Sequence, residues 1–544
     1  DKRTNREESP CFSWERGQGP VNPEDNYVVS RTEELADFIK RVKLGRYIVI
    51  FAPRQTGKTT FFQWALDALA ADTGETYFPI ELNFEVYEDY PASDFYASLY
   101  KRIYEEIARV FQERGTVPSK DLSEFLENTK LTDHIAMLEF FQQFGAFLGD
   151  EKLVLIIDEF DGIPQDAVTG FLHALRNIYV QRSMRQCPYS LGIVGVKGIA
   201  QLDLDRSISP FNIQDEFELP NFTLEQVQEL LGQYTGEVGQ IFAPEVVENI
   251  HRQTAGQPFL VNRLAQILTE EMNVPKTEPI TMEHFSTAHT EILEENNTNL
   301  THLVTNIRRD PGFKNLLMEI VSYERGVRFN LHQELISELA TYGVIARGAD
   351  RMCEILNPIY QQRIIQAFKP LVNGLEDKYF PEDTHQGLVD YLTSTGQIKM
   401  GLLLDNFRDF IARAGFRILL VPDTPKKFVG QYLLYMYLDQ FVQLVHGHIY
   451  LEGQTGRGRI DLAIFYNAQK YIIETKIWEG PRSYQAGKAQ LAAYLKLEGA
   501  SEGYYVVFDH RAEPEPRAET ETVDGLTLRS YVIPVVQEVP SQQI

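Results

Sequence analysis

In the stretch YIIETKIWEG, residues 471–480, Glu474 and Lys476 stand two apart inside a run of β-forming residues. Side chains alternate faces along a strand, so the two charges share one face. The preceding run, IDLAIFY, begins with Ile460 and Asp461, and the polar NAQK separates the two runs as a turn. A symmetric hairpin would set Tyr466 opposite Tyr471, Ala463 opposite Glu474 and Asp461 opposite Lys476. All three charged groups then share a face, whereas a slip by one residue would separate them. Two carboxylates on neighbouring strands can hold a hard divalent cation through oxygen ligands. An adjacent ammonium can orient or deprotonate a water, or steady the charge of a phosphorane-like transition state. The chemistry this suggests is metal-assisted phosphodiester hydrolysis; the competing reading is a purely structural ion-pair cluster.

A second set of chemical residues lies in APRQTGKTT, residues 52–60, between an apolar run and an amphipathic one. Strand, then GxxxxGK[ST], then helix is the context of a phosphate-binding loop. Ala52 stands where the first glycine of that pattern falls. The loop Ala52, Pro53, Arg54, Gln55, Thr56, Gly57, Lys58, Thr59 and Thr60 would wrap phosphates with backbone N–H groups, and Gly57 keeps a side chain out of the way. Lys58 would neutralise the β- and γ-phosphates, Thr59 would hold Mg²⁺, and the new helix adds its positive end. Farther on, LVLIIDEF places Asp158 at the end of an apolar strand, where it can hold the Mg²⁺ hydration shell. Glu159 follows and can polarise an attacking water. ATP and Mg²⁺ are the implied cofactors here, and Mg²⁺ or Mn²⁺ at the Asp461–Glu474 pair.

The elements that must position these residues can be read from periodicity. RTEELADFIKRV reads as a helix, RYIVIF as a buried strand and GKTTFFQWALDALA as a helix. FPIELNF, KLVLIIDEF, YSLGIVGV and DEFELPNF read as further strands, and residues 90–150 as mostly helical. Alternating strands and helices imply a parallel α/β sheet. Residues 221–290 read as helical, and GVIARGADRMCEIL as a hairpin between helices. From about residue 401 a new order begins: helix, strand (FRILLV), helix (GQYLLYMYLDQFVQLV), three strands, helix (AGKAQLAAYLKLEG) and strand (GYYVVFDH). One more strand is expected in the last thirty residues.

Two family resemblances follow from these motifs. With the loop and LVLIIDEF, the stretches SISPFNIQDEFELPNF (207–222) and TAGQPFLVNRLA (254–265) resemble AAA-like ATPases related to signal-transduction NTPases and archaeal ATPases, over about residues 27–370. The resemblance implies a helical lid, a winged helix, adenine packing near Val28 and Val29, and candidate roles for Arg206 as an arginine finger and Arg263 as a γ-phosphate sensor. The C-terminal D-x12-E-x-K pattern, with Gln490 and Tyr494 in QLAAY on the next helix, resembles the PD-(D/E)xK nuclease superfamily over roughly residues 400–512. That implies catalytic roles for Asp461, Glu474, Lys476, Gln490 and Tyr494. The residues themselves offer phosphate contacts: Arg457 and Arg459 in GRGR, with Arg482 and Lys488 on the motif helix as further candidates. The chain departs from the pattern in the first helix of that segment, where Gln431 stands in place of a glutamate; Glu452 is a possible substitute.

The expected fold class is thus α/β: a P-loop ATPase with parallel sheet, helical lid and winged helix, plus a C-terminal α/β PD-(D/E)xK nuclease-like domain. The expected boundaries are an arm at 1–26, the ATPase core at 27–222, the lid at 223–295, the winged helix at 296–370, a connector at 371–400 and the nuclease-like domain at 401–544. A length of 544 residues suits several domains. The three cysteines, Cys11, Cys187 and Cys353, lack metal spacing and suit a reducing, cytoplasmic setting. No apolar run is long enough for a membrane span, and none reads as a signal peptide. A net charge of −25 excludes binding nucleic acid by bulk attraction, so contact with nucleic acid, DNA foremost, must be local. A homo-oligomer is expected. The readings to weigh are an ATP-gated nuclease with a role in defence against foreign DNA, a nucleotide switch whose nuclease-like domain only binds nucleic acid or partners, and an ATPase that remodels protein.

Overall fold

The computed structural model describes residues 14, 21, 24–51, 55–72, 74, 76–181, 186–195, 215–295, 311–322, 326–367, 390–414, 429–451, 462–467 and 469–535. The chain divides into two compact units, Asp1–Phe222 with Thr341–Gly343, and Thr223–Ala340 with Val344–Ile544.

The first unit runs α1 (Thr32–Lys43), β1 (Tyr47–Phe51), α2 (Lys58–Ala70), β2 (Tyr77–Asn83), α3 (Ala92–Glu113), α4 (Lys120–Asn128), α5 (His134–Leu148), β3 (Lys152–Asp158), α6 (Gln165–Gln181), β4 (Ser190–Gly195) and β5 (Asp215–Glu218). The strands form an all-parallel sheet in the order β2-β3-β4-β1-β5. Strands such as KLVLIID and SLGIVG are apolar at nearly every position because helices cover both faces. Leu153, Leu155 and Ile157 belong to the core shared with α3, α5 and α6. Val154 and Ile156 belong to the core shared with α1 and α2. Alternation therefore turns Asp158 toward α2.

The second unit begins with α7 (Leu224–Val238), α8 (Pro244–Thr254), α9 (Pro258–Gln266) and α10 (Met282–Glu294). It continues with α11 (Pro311–Ser322), α12 (Glu334–Thr341), β6 (Ile345–Arg347), β7 (Cys353–Ile355) and α13 (Pro358–Ala367), the two strands pairing antiparallel. Next come α14 (Met400–Ala414), α15 (Val429–Leu444), β8 (His448–Leu451), β9 (Leu462–Tyr466), β10 (Gln469–Ile477), α16 (Pro481–Leu497), β11 (Glu502–Asp509), β12 (Arg517–Val523) and β13 (Leu526–Pro534). These last strands form a mixed sheet in the order β12-β13-β11-β10-β9-β8, with β10, β11 and β13 parallel. The expected strand FRILLV lies outside the described residues.

One face of this sheet packs α16 through Ile472, Tyr505, Val507, Leu528, Leu491 and Leu495. On the other face, Gly430 of α15 lies so close to the Phe508 ring that a Cβ would sit 2.4 Å from it. The outer edge of β8 is closed by side chains. Gln253 of α8 donates to the Leu451 carbonyl at 2.8 Å, and Gln362 of α13 to the Ile449 carbonyl at 3.3 Å. Both bonds are buried, and they satisfy acceptors that a further strand would otherwise take. His289 Nε2 of α10 lies 3.2 Å from the Gln253 side-chain Oε1, and burial lowers its pKa to about 3.

Two expectations for this region need correction. The last thirty residues hold two strands, β12 and β13, rather than one. Asp524 and Gly525, both at positive φ (52° and 83°), form the turn, and an Asp-Gly pair between alternating runs is the hairpin signal that marks it. The β9–β10 hairpin also closes more tightly than expected. Tyr466 pairs with Gln469, not Tyr471, and Asn467, directly after Tyr466, adopts a left-handed φ of 49°. The shift is two residues, so every side chain keeps its face.

Candidate functional site

The phosphate-loop residues gather at the start of α2. Gln55 and Gly57 have positive φ, 60° and 81°. A Cβ at Gly57 would meet nothing within 4 Å among the described residues. Lys58 and Thr56 are buried. The Thr59 hydroxyl donates to Asp158 Oδ2 at 3.2 Å, so sequence positions 99 apart meet at one point. An oxygen donor set of hydroxyl and carboxylate suits a hard cation such as Mg²⁺, and the helix N-terminus that follows Gly57 suits phosphate. Glu159 sits at φ 48°, and its N–H donates to Asp158 Oδ1 at 2.9 Å. Behind it, Gly162 passes so close to the residue after β2 that a Cβ would lie 2.0 Å from the Phe84 carbonyl oxygen. Thr60 Oγ1 accepts from the Val21 N–H at 3.1 Å. Ala52, Pro53, Arg54 and Arg206 lie outside the described residues.

In the C-terminal sheet, Glu474 and Lys476 share the α16 face of β10. Lys476 Nζ lies 3.6 Å from Glu474 Oε1 and donates to Gln490 Oε1 at 3.2 Å. Glu474 is buried and Lys476 half-buried. Tyr494 follows Gln490 by one helical turn and packs against the Leu491–Leu495 core. The described ladder ends at Leu462 opposite Ile473. Asp461, Glu452, Arg457 and Arg459 lie outside the described residues. Among the described residues, no group of three or more His, Cys, Asp or Glu side chains is placed to hold a metal ion.

Two candidate residues and Gln431 have partners of their own in the structure. Lys488 was a candidate phosphate contact, yet it is buried between Glu519 at 2.8 Å and Glu521 at 2.9 Å, over the Tyr484 ring. Arg263 was a candidate phosphate sensor, but its guanidinium pairs with Glu271 and Glu295. Gln431 donates to Thr475 Oγ1 at 3.1 Å, and Thr475 points away from the Glu474–Lys476 face.

Residues 17–364 match the model of the AAA-like domain, which is well over half of the chain. The chain belongs to the AAA-like domain family. Membership in this family implies nucleotide binding. Residues 399–512 of this AAA-like protein match a domain of unknown function, DUF8371. An uncharacterized WD repeat-containing protein of Synechocystis, slr0143, is 24% identical over 256 residues, or 45% of this chain. The chain spans about a fifth of the length of that relative (20%). Among solved structures, the Walker-type ATPase PABY2304 of Pyrococcus abyssi aligns at a TM-score of 0.44 with 16% identity, covering 64% of this chain and 98% of its own. The Orc1 protein of Aeropyrum pernix in complex with DNA aligns at 0.30 with 14% identity, covering 62% and 93%. The RuvB Holliday junction branch migration motor of Thermotoga maritima aligns at 0.31 with 15% identity, covering 61% and 92%. No described helix of the AAA-like protein is long and apolar enough to cross a membrane.

Two residues near the AAA-like loop were missed by sequence reasoning. Arg31, buried at φ 44° before α1, donates to the Thr56 carbonyl at 3.2 Å and to the Pro220 carbonyl at 2.7 Å, and lies 4.7 Å over the Phe222 ring. It ties the phosphate loop to the segment after β5. Nothing in RTEEL distinguishes it from a surface charge. Glu81 lies within β2, two residues before Asn83, which pairs with Asp158. Burial, then the Asp158 and Glu106 charges, pushes its pKa up to about 7, against the pull of Arg109. The signal was available: a charge inside an apolar strand, as in YIIETKIW.

Proposed function

We propose that this AAA-like protein is an ATP-dependent nuclease, in which the nucleotide state of the P-loop unit gates metal-dependent phosphodiester cleavage by the C-terminal domain. The supporting observation is the convergence of Glu474, Lys476 and Gln490 on one face of β10 and α16. In the P-loop unit, Lys58 would meet the β- and γ-phosphates, Thr59 and Asp158 would hold Mg²⁺, and Glu159 would polarise the attacking water. In the C-terminal domain, Asp461 and Glu474 would hold Mg²⁺ or Mn²⁺. A cation there supplies Lewis-acid stabilisation of the charge that develops on the scissile phosphate. Lys476 orients the attacking water, held in place by Gln490, and Tyr494 helps position the strand. DNA is the expected substrate, and the winged helix, a cytoplasmic setting, oligomer formation and a role in defence against foreign DNA belong to the same proposal.

The Gln431–Thr475 bond favours a second reading. With an amide at that helix position turned to the opposite face, the C-terminal domain would bind nucleic acid or a partner without cutting, and the protein would be a nucleotide switch. Incubating wild type, Asp461→Ala and Lys58→Ala with plasmid and oligonucleotides in Mn²⁺ and ATP separates the two. Cleavage that requires Asp461 supports the nuclease. Intact ATP hydrolysis with no cleavage under any divalent metal supports the switch.

A further inference from the structure

The face of β10 that carries Glu474 and Lys476 continues one step further, to Trp478. Its N–H donates to the Phe508 carbonyl at 2.9 Å, so it extends the β10–β11 pairing with the same alternation. The ring is partly buried against the α16 core, with Tyr484 at 5.4 Å between centroids. Two guanidinium groups lie over it: Arg511 at 4.8 Å from the ring centroid and Arg517 at 5.6 Å.

Arg511 is held in one orientation. Asp509, fully buried at the end of β11, accepts from Arg511 Nη2 at 2.7 Å, from Nε at 3.0 Å and from the backbone N–H at 3.1 Å. The side chain nonetheless remains 44% exposed. A buried acid and an indole ring thus fix the plane of a guanidinium that still meets solvent. Such a plane is a stacking surface for an unpaired base. Arg517 is 38% exposed and pairs with Glu515 at 2.8 Å. Asp509 and Glu515 act on Arg511, and Glu515 and Glu519 on Arg517, so this corner does not draw a polyanion by bulk charge. Recognition here would come from stacking, with one local phosphate contact.

We propose that Arg511, stacked on Trp478 and clamped by Asp509, receives one unpaired base of a single-stranded nucleic acid, while Arg517 meets the flanking phosphate. The assignment rests on the nuclease reading above in taking the Glu474–Lys476 face as the place where the strand lies. It names the substrate class: a single strand, or a duplex end that frays.

The test measures binding of a fluorescent oligothymidylate and of a blunt duplex to the full-length protein in EDTA, across a salt series. Wild type should prefer the single strand. Arg511→Lys keeps the charge and loses the plane, and should weaken single-strand binding about ten-fold with an unchanged salt slope. Arg517→Ala should lower the slope of log affinity against log salt by about one. Equal affinity for wild type and Arg511→Lys overturns the proposal, as does a wild type that does not bind the single strand. A melting temperature that falls in Arg511→Lys in step with the affinity, unrestored by Arg511→Gln with its planar amide, also overturns it, since the arginine would then be a staple for the 510–516 turn. Because chelator blocks cleavage, binding and catalysis fail independently. Arg511-dependent binding without cleavage in Mn²⁺ would sink only the nuclease, and cleavage with Arg511-independent binding only the stacking platform.

Discussion

Two strands of this chain carry an acid out of an apolar run, and they obtain their partners in opposite ways. At the end of β3, Asp158 meets Thr59 from a loop whose glycine, lysine and threonines are contiguous. In the middle of β10, Glu474 meets Lys476 from its own strand, and that lysine meets Gln490 from the helix that follows. The first site depends on a short motif and one parallel sheet, whose order sets β4 between β1 and β3. The second depends on the pairing register of a hairpin, where a one-residue slip would turn every side chain over. A site coded by a contiguous motif tolerates sequence change elsewhere, whereas one coded by register is sensitive to every residue that sets the turn.

The largest effects should separate the two regions completely. Lys58→Ala should lower ATP hydrolysis at least about a hundredfold, and Asp461→Ala or Lys476→Ala should lower cleavage by a similar factor with ATP hydrolysis unchanged. Phosphate release and oligonucleotide cleavage, measured on the same preparations, check both. Loss of ATP hydrolysis in Lys476→Ala would break the separation.

Next in size is backbone approach in the P-loop unit. Gly162→Ala places a methyl 2.0 Å from the Phe84 carbonyl oxygen, backbone that no rotamer change can move aside. It should destabilise by about 1–3 kcal/mol in denaturant titration and reduce ATP hydrolysis, because the turn it lies in supports Glu159. The corresponding weak point of the second unit is the β8 edge. Gln253→Ala and Gln362→Ala each leave a buried carbonyl without its donor and should cost about 1–3 kcal/mol each, leaving ATP binding unaltered. If the double substitution costs less than either single one, the glutamines do not close that edge.

The smallest expected effects are pH slopes of opposite sign. Glu81 binds its proton more tightly folded than unfolded, with a pKa about 7 against 4.5, so stability falls as pH rises through that window. His289 is held neutral, with a pKa of about 3 against 6.5, so its contribution falls as pH drops from 6.5. His448, lowered by burial, is the neighbouring charge that reinforces this. Glu81→Gln and His289→Asn should each flatten one slope by about 1–2 kcal/mol, read from calorimetric melts between acid and neutral pH. A slope that Glu81→Gln leaves intact would mean that Asp67, whose pKa burial also raises, takes up the proton instead.

Much of the first unit was legible because its information is local. Apolar runs marked each strand, and the loop pattern and LVLIIDEF named the residues that meet. Arg31 was not legible: its partners are the carbonyls of Thr56 and Pro220, and a carbonyl has no sequence signature. Glu81 was legible in principle, as a charge in an apolar strand, but the carboxylates around it come from α2, β3 and α3.

By itself the sequence determined which residues share a face, since alternation along β10 aligns Glu474, Lys476 and Trp478 whatever they pair with. Tertiary structure decided what those faces meet. The β9–β10 hairpin closed two residues early, the Asp524–Gly525 turn added a strand, and Glu519 and Glu521 on that strand claimed Lys488. Side-chain periodicity is set by backbone geometry within a few residues, while partner choice is settled by burial between segments far apart in the chain. Only the first of these can be read before the chain has folded.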